Sequence, residues 1–179
     1  MSVAWWEHRY AKGGDSGPGS TGDMGRFKAD TVNEFVAKHQ IDSVFDVGCG
    51  DGEQVALLNV PCYVGYDPSS SALARAAKRL ASDPTKAFTP QPHGYKAELA
   101  LSMDVLYHLE NEAERKEFLD ILFASATRFV MIYTTRDNSH DGHHHIWHSS
   151  PPDGWIEKID SPFVHCSFFV YAIPDQPLA

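Results

Sequence analysis

The sequence has few cysteines, few basic residues and no long apolar run. Its three cysteines, Cys49, Cys62 and Cys166, are odd in number and widely spaced, which fits reduced thiols better than a disulfide framework or a zinc knuckle. A membrane-spanning helix would need about 18 consecutive apolar residues, and the sequence contains no such run. The first residues also lack the basic and then apolar order of a secretion signal. We therefore expect a cytoplasmic protein that does not bind a membrane.

Acidic residues outnumber basic residues, 24 to 15, and the formal net charge is −9. That balance leaves no broad basic face for a phosphate backbone, so we expect a small-molecule partner and no nucleic acid. The 179 residues are enough for one domain with a usable core. We expect a single domain over residues 1–179, either a monomer or a homodimer that pairs at a sheet edge around residues 168–171.

The most informative segment is residues 43–52, in which an apolar run leads into Gly48-Cys49-Gly50-Asp51-Gly52. The run predicts a strand followed by a sharp turn, the arrangement with which an open α/β sheet holds a nucleoside-bearing ligand. Glycine has no Cβ, so the backbone can turn at the strand end and the ligand can lie against the main chain. The alternating glycines differ from the G-x-G-x-x-G spacing of dinucleotide sites, which disfavours NAD or a flavin.

Three acidic residues accompany this turn. Asp46 and Asp51 would repel a pyrophosphate, whereas both suit a cationic amine. Asp67 follows a second short apolar run and lies 19 positions after Gly48, near the interval of about 20 residues at which such units place an acid on the ribose hydroxyls. The pattern predicts a ligand with a ribose and an amino group. The alternative is an ordinary strand-to-helix turn in which Asp67 caps a helix.

These motifs resemble those of the class I S-adenosylmethionine-dependent methyltransferases. The first motif of that family is acidic-x-Gly-x-Gly-x-Gly, which residues 46–52 match, and its ribose-binding acid corresponds to Asp67. Residues 104–109 resemble the D-V-L-x-H-L motif that follows the fourth strand, and residues 128–133 resemble the fifth strand. The resemblance implies S-adenosylmethionine (SAM) as the cofactor and S-adenosylhomocysteine (SAH) as the product.

The same resemblance predicts the fold and the cofactor contacts. It implies an α/β, Rossmann-like, doubly wound and mostly parallel sheet with helices on both faces. Because the segment after the fifth strand is short, we expect a shortened antiparallel edge at the C-terminal end. The residues that the resemblance places around the cofactor are Trp6, Arg9, Tyr10, Gly13, Asp46, Gly48, Cys49, Gly50, Asp51, Asp67, Pro68, Ser102, Met103 and Asp104.

Residues 6–14 resemble the W-x-x-R-Y-x-x-G segment of some small-molecule methyltransferases, in which aromatic and basic residues close over the bound cofactor. The resemblance implies that Arg9 pairs with the cofactor carboxylate. Trp6 and Tyr10 would then cover the site, because aromatic faces attract a sulfonium and a lid excludes water. The glycine-dense sequence that follows is unsuited to a helix, so residues 1–25 are predicted as a flexible lid. The alternative is an aromatic patch packed on the first helix.

Hydrophobic spacing predicts the remaining organisation. A cofactor-binding core covers residues 26–135, and a substrate-side loop with a C-terminal strand covers residues 136–179. Helices are predicted over residues 27–39, 53–58, 69–80, 112–124 and 155–159. Strands are predicted over residues 43–47, 63–66, 86–89, 99–103, 129–133 and within 163–173.

A histidine cluster follows the predicted fifth strand, and five of the ten histidines lie in residues 140–148. A loop there would lie at the carboxyl edge of the sheet, where open α/β proteins bind substrates, and imidazole is a suitable general base. Two alternatives remain open: a solvated loop, and a metal site that uses Asp141 with neighbouring histidines. The candidate catalytic residues are His143, His144, His145, His148, His108 and Asp104.

The expected activity is transfer of a methyl group from SAM to an oxygen or nitrogen of a small molecule. Alignment of the reactants and exclusion of water are the main tasks of such a site, and a base is needed only for a poorly nucleophilic hydroxyl. Two other classes of function stay open: a non-catalytic SAM-binding scaffold, and a metal-dependent enzyme built around the histidine cluster.

Overall fold

A computed structural model describes residues 3–109, 111–136 and 151–174, and one seven-stranded sheet runs through them. The strands are β1 Ser43–Val47, β2 Cys62–Tyr66, β3 Lys86–Thr89, β4 Ala97–Met103, β5 Ala126–Thr135, β6 Glu157–Asp160 and β7 Cys166–Ala172. Their order in the sheet is β3-β2-β1-β4-β5-β7-β6. Strands β1 to β5 are mutually parallel, and β7 pairs antiparallel with both β5 and β6. The predicted α/β, mostly parallel sheet is confirmed.

The central strands are apolar on both sides because both sides of the sheet are covered. In β1, for example, Val44 packs into one core and Phe45 into the other, and both are almost fully buried. The chain moves outward from β1 through β2 to β3 and then returns to β4 on the other side of β1. The carboxyl ends of β1 and β4 therefore flank the point where the strand order reverses, which is where open α/β sheets bind ligands.

Helices cover both faces of the sheet. The α-helices of the described residues are α1 Val3–Ala11, α2 Gly22–His39, α3 Ser70–Arg79 and α4 Glu112–Ser125. Helices α2 and α3 pack on one face through side chains such as Val32 and Leu73, and α4 packs on the other through Phe118 and Leu122. Among the described residues, no helix combines the length and the apolar character needed to cross a membrane.

The N-terminal region contains more helix than the sequence predicts. Residues 1–25 were expected to form a loop, but α1 occupies Val3–Ala11 and α2 begins at Gly22, so only residues 12–21 lie between helices. Tertiary contacts explain the difference, because Tyr10 of α1 is buried and intrinsic propensity is only a weak guide when packing is available. The helix predicted over residues 53–58 is reduced to one 3-10 turn, Val55–Leu57.

The C-terminal region differs in one element. The helix predicted over residues 155–159 is wrong, because this stretch enters the edge strand β6. Ile156 donates its backbone N–H to the carbonyl of Val170, and Lys158 lies opposite Phe169, so the partner strand supplies the backbone hydrogen bonds that a helix would have made internally. The predicted C-terminal strand is present as β7, and the antiparallel edge is short, since β6 has four residues.

Candidate active site

The glycine-rich turn, residues 48–52, is tied to the end of β2. Gly48 and Cys49 both donate their backbone N–H to the carbonyl of Tyr66, at 2.8 and 3.0 Å. Asp67 follows directly; its Oδ2 accepts from Gly50 N at 3.0 Å and its Oδ1 from Ser69 N at 2.8 Å. Burial raises the pKa of Asp67 to about 6, although these two N–H donors favour the ionised form. The predicted glycine turn and the predicted ribose-binding acid are thus in direct contact.

Two glycines of the turn lie so close to neighbouring side chains that a Cβ would not fit. Both have positive φ, 94° at Gly48 and 60° at Gly50, which favours glycine. A Cβ on Gly48 would overlap Val105, and a Cβ on Gly50 would come within 2.6 Å of Ser16 Oγ and 3.1 Å of Tyr10 Oη. The turn is therefore a backbone cradle enclosed by the N-terminal region on one side and the end of β4 on the other.

Asp46 lies under this cradle and is only 2 % exposed. Its Oδ2 accepts a 2.7 Å hydrogen bond from the hydroxyl of Tyr63, whereas its buried Oδ1 has no hydrogen-bond partner among the described residues. Burial raises the pKa of Asp46 to about 7, against the opposing effect of the Tyr63 hydrogen bond. A buried carboxylate oxygen without a donor fits a site that receives a cationic or hydrogen-bonding group.

Helix α1 covers the cradle with aromatic rings. Trp6 stacks on Tyr10 with ring centroids 5.8 Å apart, and it meets the edge of His108 at 5.2 Å. Glu7 fixes the helix to the start of α3, because its carboxylate accepts from the hydroxyls of Ser69 and Ser71 at 2.7 and 2.5 Å. These hydrogen bonds lower the pKa of Glu7. The helix thus links the region after β4 to the N-terminus of α3.

Residues 12–21, here called the strap, close the remaining side. Ser16 Oγ lies 2.7 Å from Asp51 Oδ1 and 3.1 Å from Tyr10 Oη. Arg75 of α3 donates to the carbonyl of Gly14 and lies 3.6 Å from Asp51 Oδ2. Hydroxyl, guanidinium and carboxylate groups therefore hold the strap against the glycine-rich turn.

Arg9 and Gly13 occupy the outer side of this assembly. Arg9 forms an ion pair with Asp15 of the strap, at 2.9 Å, and its guanidinium lies 5.7 Å from the Trp5 ring. Gly13, the second residue of the strap, has φ of 86°. In this conformation the guanidinium of Arg9 is engaged by Asp15, so the predicted pairing with a cofactor carboxylate would need exchange of that partner.

Asp104 lies at the carboxyl end of β4 in a left-handed backbone conformation, with φ of 62°. Such a conformation is costly for a residue with a Cβ, and costly conformations of this kind cluster at functional sites, although Asp and Asn tolerate this one best. Its N–H donates to the carbonyl of Tyr133, and its carboxylate accepts from Lys28 and, at 2.8 Å, from Tyr107. Two donors thus fix the side chain of Asp104 at the mouth of the site.

Four other predicted cofactor residues support the site from behind or beside it. Ser102 is buried and donates its hydroxyl to the carbonyl of Val47, so it braces β1 against β4. Cys49 and Met103 are buried in the core, and burial raises the pKa of the Cys49 thiol. Pro68 is exposed between Asp67 and the helix α3.

Of the histidines predicted to be catalytic, only His108 lies within the described residues. It belongs to a 3-10 turn after Asp104 and contacts Trp6 and Tyr107 through its ring. His143, His144, His145 and His148 lie outside the described residues, and so does Asp141. Within the part of the chain that is described, no group of three or more His, Cys, Asp or Glu side chains could hold a metal ion.

The sequence predictions omit four residues of this assembly: Glu7, Ser16, Lys28 and Arg75. Lys28 is the one with a recognisable signal. It falls on the buried stripe of α2, four residues before Val32 and seven before Phe35, where an apolar residue is the rule. A lysine at such a position needs a buried partner. The other three are polar residues in segments whose sequence is typical of a protein surface or a loop. The sequence therefore gives no sign that they belong to the site.

Known proteins resemble the chain in structure. No protein-family model and no curated protein sequence matches it. The N-methyltransferase NodS of Bradyrhizobium japonicum WM9, solved with SAH, superposes with a TM-score of 0.77 at 13% identity, over 98% of this chain and 100% of NodS. Magnesium protoporphyrin IX methyltransferase (ChlM) of Synechocystis PCC 6803, solved with SAM, gives 0.66 at 17% identity, over 96% and 91%.

A third similar structure is the methyltransferase domain of bacterial CtHen1, with a TM-score of 0.63 at 21% identity, covering 83% of this chain and 97% of that domain. At these identities the similarity establishes the fold. The agreement with NodS extends over nearly the whole chain. The chain has the fold of the S-adenosylmethionine-dependent methyltransferases, as its motifs predict.

Proposed function

We propose that this protein is a SAM-dependent methyltransferase that transfers a methyl group to an oxygen or nitrogen of a small molecule. The observation that carries the proposal is the contact between the glycine-rich turn and Asp67, in a site that the aromatic side chains of helix α1 cover. Similar structures were solved with SAM or SAH bound, which supports the choice of ligand. The negative charge of the chain favours a small acceptor over a nucleic acid.

The residues of the site fit this ligand. The glycines of the turn carry no Cβ, so their backbone can lie against a ligand. The buried Oδ1 of Asp46, which has no hydrogen-bond partner among the described residues, suits an ammonium group. Asp67 presents a carboxylate that accepts hydrogen bonds, as the two ribose hydroxyls require. Trp6 and Tyr10 provide aromatic faces, which attract a sulfonium.

When bound, SAM supplies an electrophilic methyl group, and its transfer to an acceptor oxygen or nitrogen leaves SAH. The chain orients the reactants between the glycine-rich turn and the end of β4, where Asp104 is fixed by two donors. Helix α1 and the strap exclude water from the site. A base from His143, His144, His145, His148 or His108 would accept the proton of a hydroxyl acceptor.

Calorimetry with SAM and SAH, followed by transfer of labelled methyl groups to a panel of hydroxylated and amino compounds, tests the proposal. We expect both ligands to bind with a stoichiometry near one and label to appear in at least one acceptor class. Binding without any transfer would favour a non-catalytic SAM-binding scaffold. Failure of both ligands to bind would reject the assignment.

A further inference from the structure

A buried ion pair joins α2 to the end of β4. Lys28 donates to Asp104 Oδ2 across 76 residues of sequence, and Tyr107 donates to the other carboxylate oxygen at 2.8 Å. The lysine side chain is 2 % exposed and the aspartate side chain 21 %. Asp104 is therefore the solvent-accessible member of the pair, and Lys28 is the buried member. The inference below rests on the proposed function.

The pair borders the cradle and the strap. Val105, next to Asp104, occupies the space that a Cβ on Gly48 would need. A Cβ on Gly19 of the strap would lie 3.4 Å from Asp104 Oδ2 and 4.0 Å from Lys28 Nζ. Because Asp104 is the more exposed member of the pair, a ligand between the cradle and the strap would meet its carboxylate before the ammonium of Lys28.

SAM and SAH differ by the methyl group and by the positive charge on sulfur, so the pair acts on them differently. A lone carboxylate at this position would attract SAM more than SAH, and a lone ammonium would repel SAM more than SAH. We propose that Lys28 sets the ratio of SAM affinity to SAH affinity. Because Lys28 neutralises Asp104, it limits the attraction of the carboxylate for the positively charged sulfur of SAM. The ratio is therefore lower than a lone Asp104 would make it, and SAH, whose sulfur is uncharged, competes better with SAM. Lys28 is then a specificity-determining residue that acts through Asp104.

The test compares the SAM and SAH affinities of the full chain and its variants by calorimetry. In Asp104→Asn the unpaired ammonium should lower the ratio of SAM affinity to SAH affinity about tenfold, whereas Lys28→Gln should raise it about threefold. The double variant carries neither charge and should return the ratio to within about twofold of the starting value. Asparagine tolerates the left-handed backbone of Asp104, and glutamine can still donate to the carboxylate, so both changes keep a hydrogen bond in place.

The control is Glu98→Gln, which removes a carboxylate from the ion pair with Arg128 near the other end of β4, at 3.0 Å, and should leave the ratio unchanged. Lys28→Arg keeps the charge and should also leave it unchanged, even where stability drops. A purely structural role would change the SAM and SAH affinities by the same factor. If the ratio of the two affinities stayed constant in both single variants, the inference would be overturned while the proposed function remained intact. Absence of any SAM or SAH binding in the unaltered chain would overturn both.

Discussion

At the scale of single residues, the candidate site is defined by how each carboxylate is held. Asp67 is bound to two backbone N–H groups, Asp104 to Lys28 and Tyr107, and Asp46 keeps one buried oxygen without a donor. Both oxygens of the Asp104 carboxylate already accept hydrogen bonds, one from Lys28 and one from Tyr107. We therefore propose a positioning role for Asp104, and the predicted histidines stay the candidates for a base.

Asp67→Ala is expected to weaken SAM binding about 10- to 100-fold, because a charged hydrogen bond to a hydroxyl contributes about 1.5–3 kcal/mol. Calorimetry measures the affinity, and circular dichroism verifies the fold. The matched control is Asp83→Ala, since Asp83 makes the same turn contact, Oδ1 to the N–H of Thr85, near the start of β3. An affinity that is unchanged in a folded Asp67→Ala protein would contradict the ribose assignment.

The buried acids also predict a pH dependence. A carboxyl whose folded pKa is raised, to about 7 for Asp46 and about 6 for Asp67, binds a proton more readily in the folded state than in the unfolded state. These two acids therefore contribute a loss of stability to the ligand-free protein as pH rises from about 4, the unfolded pKa, through about 7. A cationic ligand favours the ionised acids and offsets this loss.

The increase in melting temperature caused by saturating SAM should accordingly be larger near pH 8 than near pH 6, because binding at the lower pH must first displace protons. Differential scanning fluorimetry at both pH values measures it. Asp46→Asn keeps an acceptor for Tyr63 and should reduce the difference. Equal increases at the two pH values would show that neither acid faces the ligand.

At the scale of elements, helix α1 and the strap form a cover that is attached mainly to α3. Glu7 accepts from Ser69 and Ser71, and Arg75 holds the carbonyl of Gly14. These contacts are polar and only partly buried, so we expect the cover to separate from the core without unfolding of the sheet. We expect these hydrogen bonds, together with the packing of the buried Tyr10, to control ligand entry.

Glu7→Ala should release this cover, so trypsin should cleave after Lys12 faster and SAM should dissociate faster, with little change in the melting temperature. Limited proteolysis and stopped-flow fluorescence of the tryptophans measure the two rates. Glu53→Ala is the control, because Glu53 is likewise a carboxylate bound to α3, through Arg79 at 2.6 Å, but belongs to the segment after the glycine-rich turn rather than to α1. Equal rates in Glu7→Ala and the unaltered chain would argue against a hinged cover.

At the scale of the whole molecule, two apolar cores on opposite faces of the sheet maintain the alignment of β1 and β4. Helix α4 is the main helical cover on its face, through Phe118 and Leu122. Loss of packing there would shift β4 and hence Asp104 relative to the glycine-rich turn. Stability and site geometry are therefore linked through this helix.

Leu122→Ala should lower the free energy of unfolding by about 2–5 kcal/mol, because the side chain is fully buried and its removal leaves a cavity. Urea denaturation measures the loss. Leu57→Ala serves as the comparison, since Leu57 is 44% exposed and should cost far less. Similar losses of unfolding free energy in the two variants would show that packing of α4 does not stabilise this face of the sheet.

Much of the fold follows from patterns that are local in the sequence. The positions of β1, β3 and α4 agree with the predicted ones because buried strands and amphipathic helices have their own periodicities. The stretch at residues 155–159 was predicted wrongly because short apolar segments are ambiguous, and pairing with β7 decides between helix and strand. Helix α1 was missed for a similar reason, since its stability depends on burial of Tyr10.

The sequence by itself determines the alternation of strands and helices, the glycine-rich turn and the acid at Asp67, because backbone conformation and hydrophobic spacing are short-range properties. The tertiary structure alone decides that Lys28 meets Asp104 and that Glu7 meets the start of α3, across 76 and 62 or more residues of sequence. Ion pairs and caps of this kind depend on which side chains the sheet order brings together. The order of residues along the chain does not show which of these distant side chains meet.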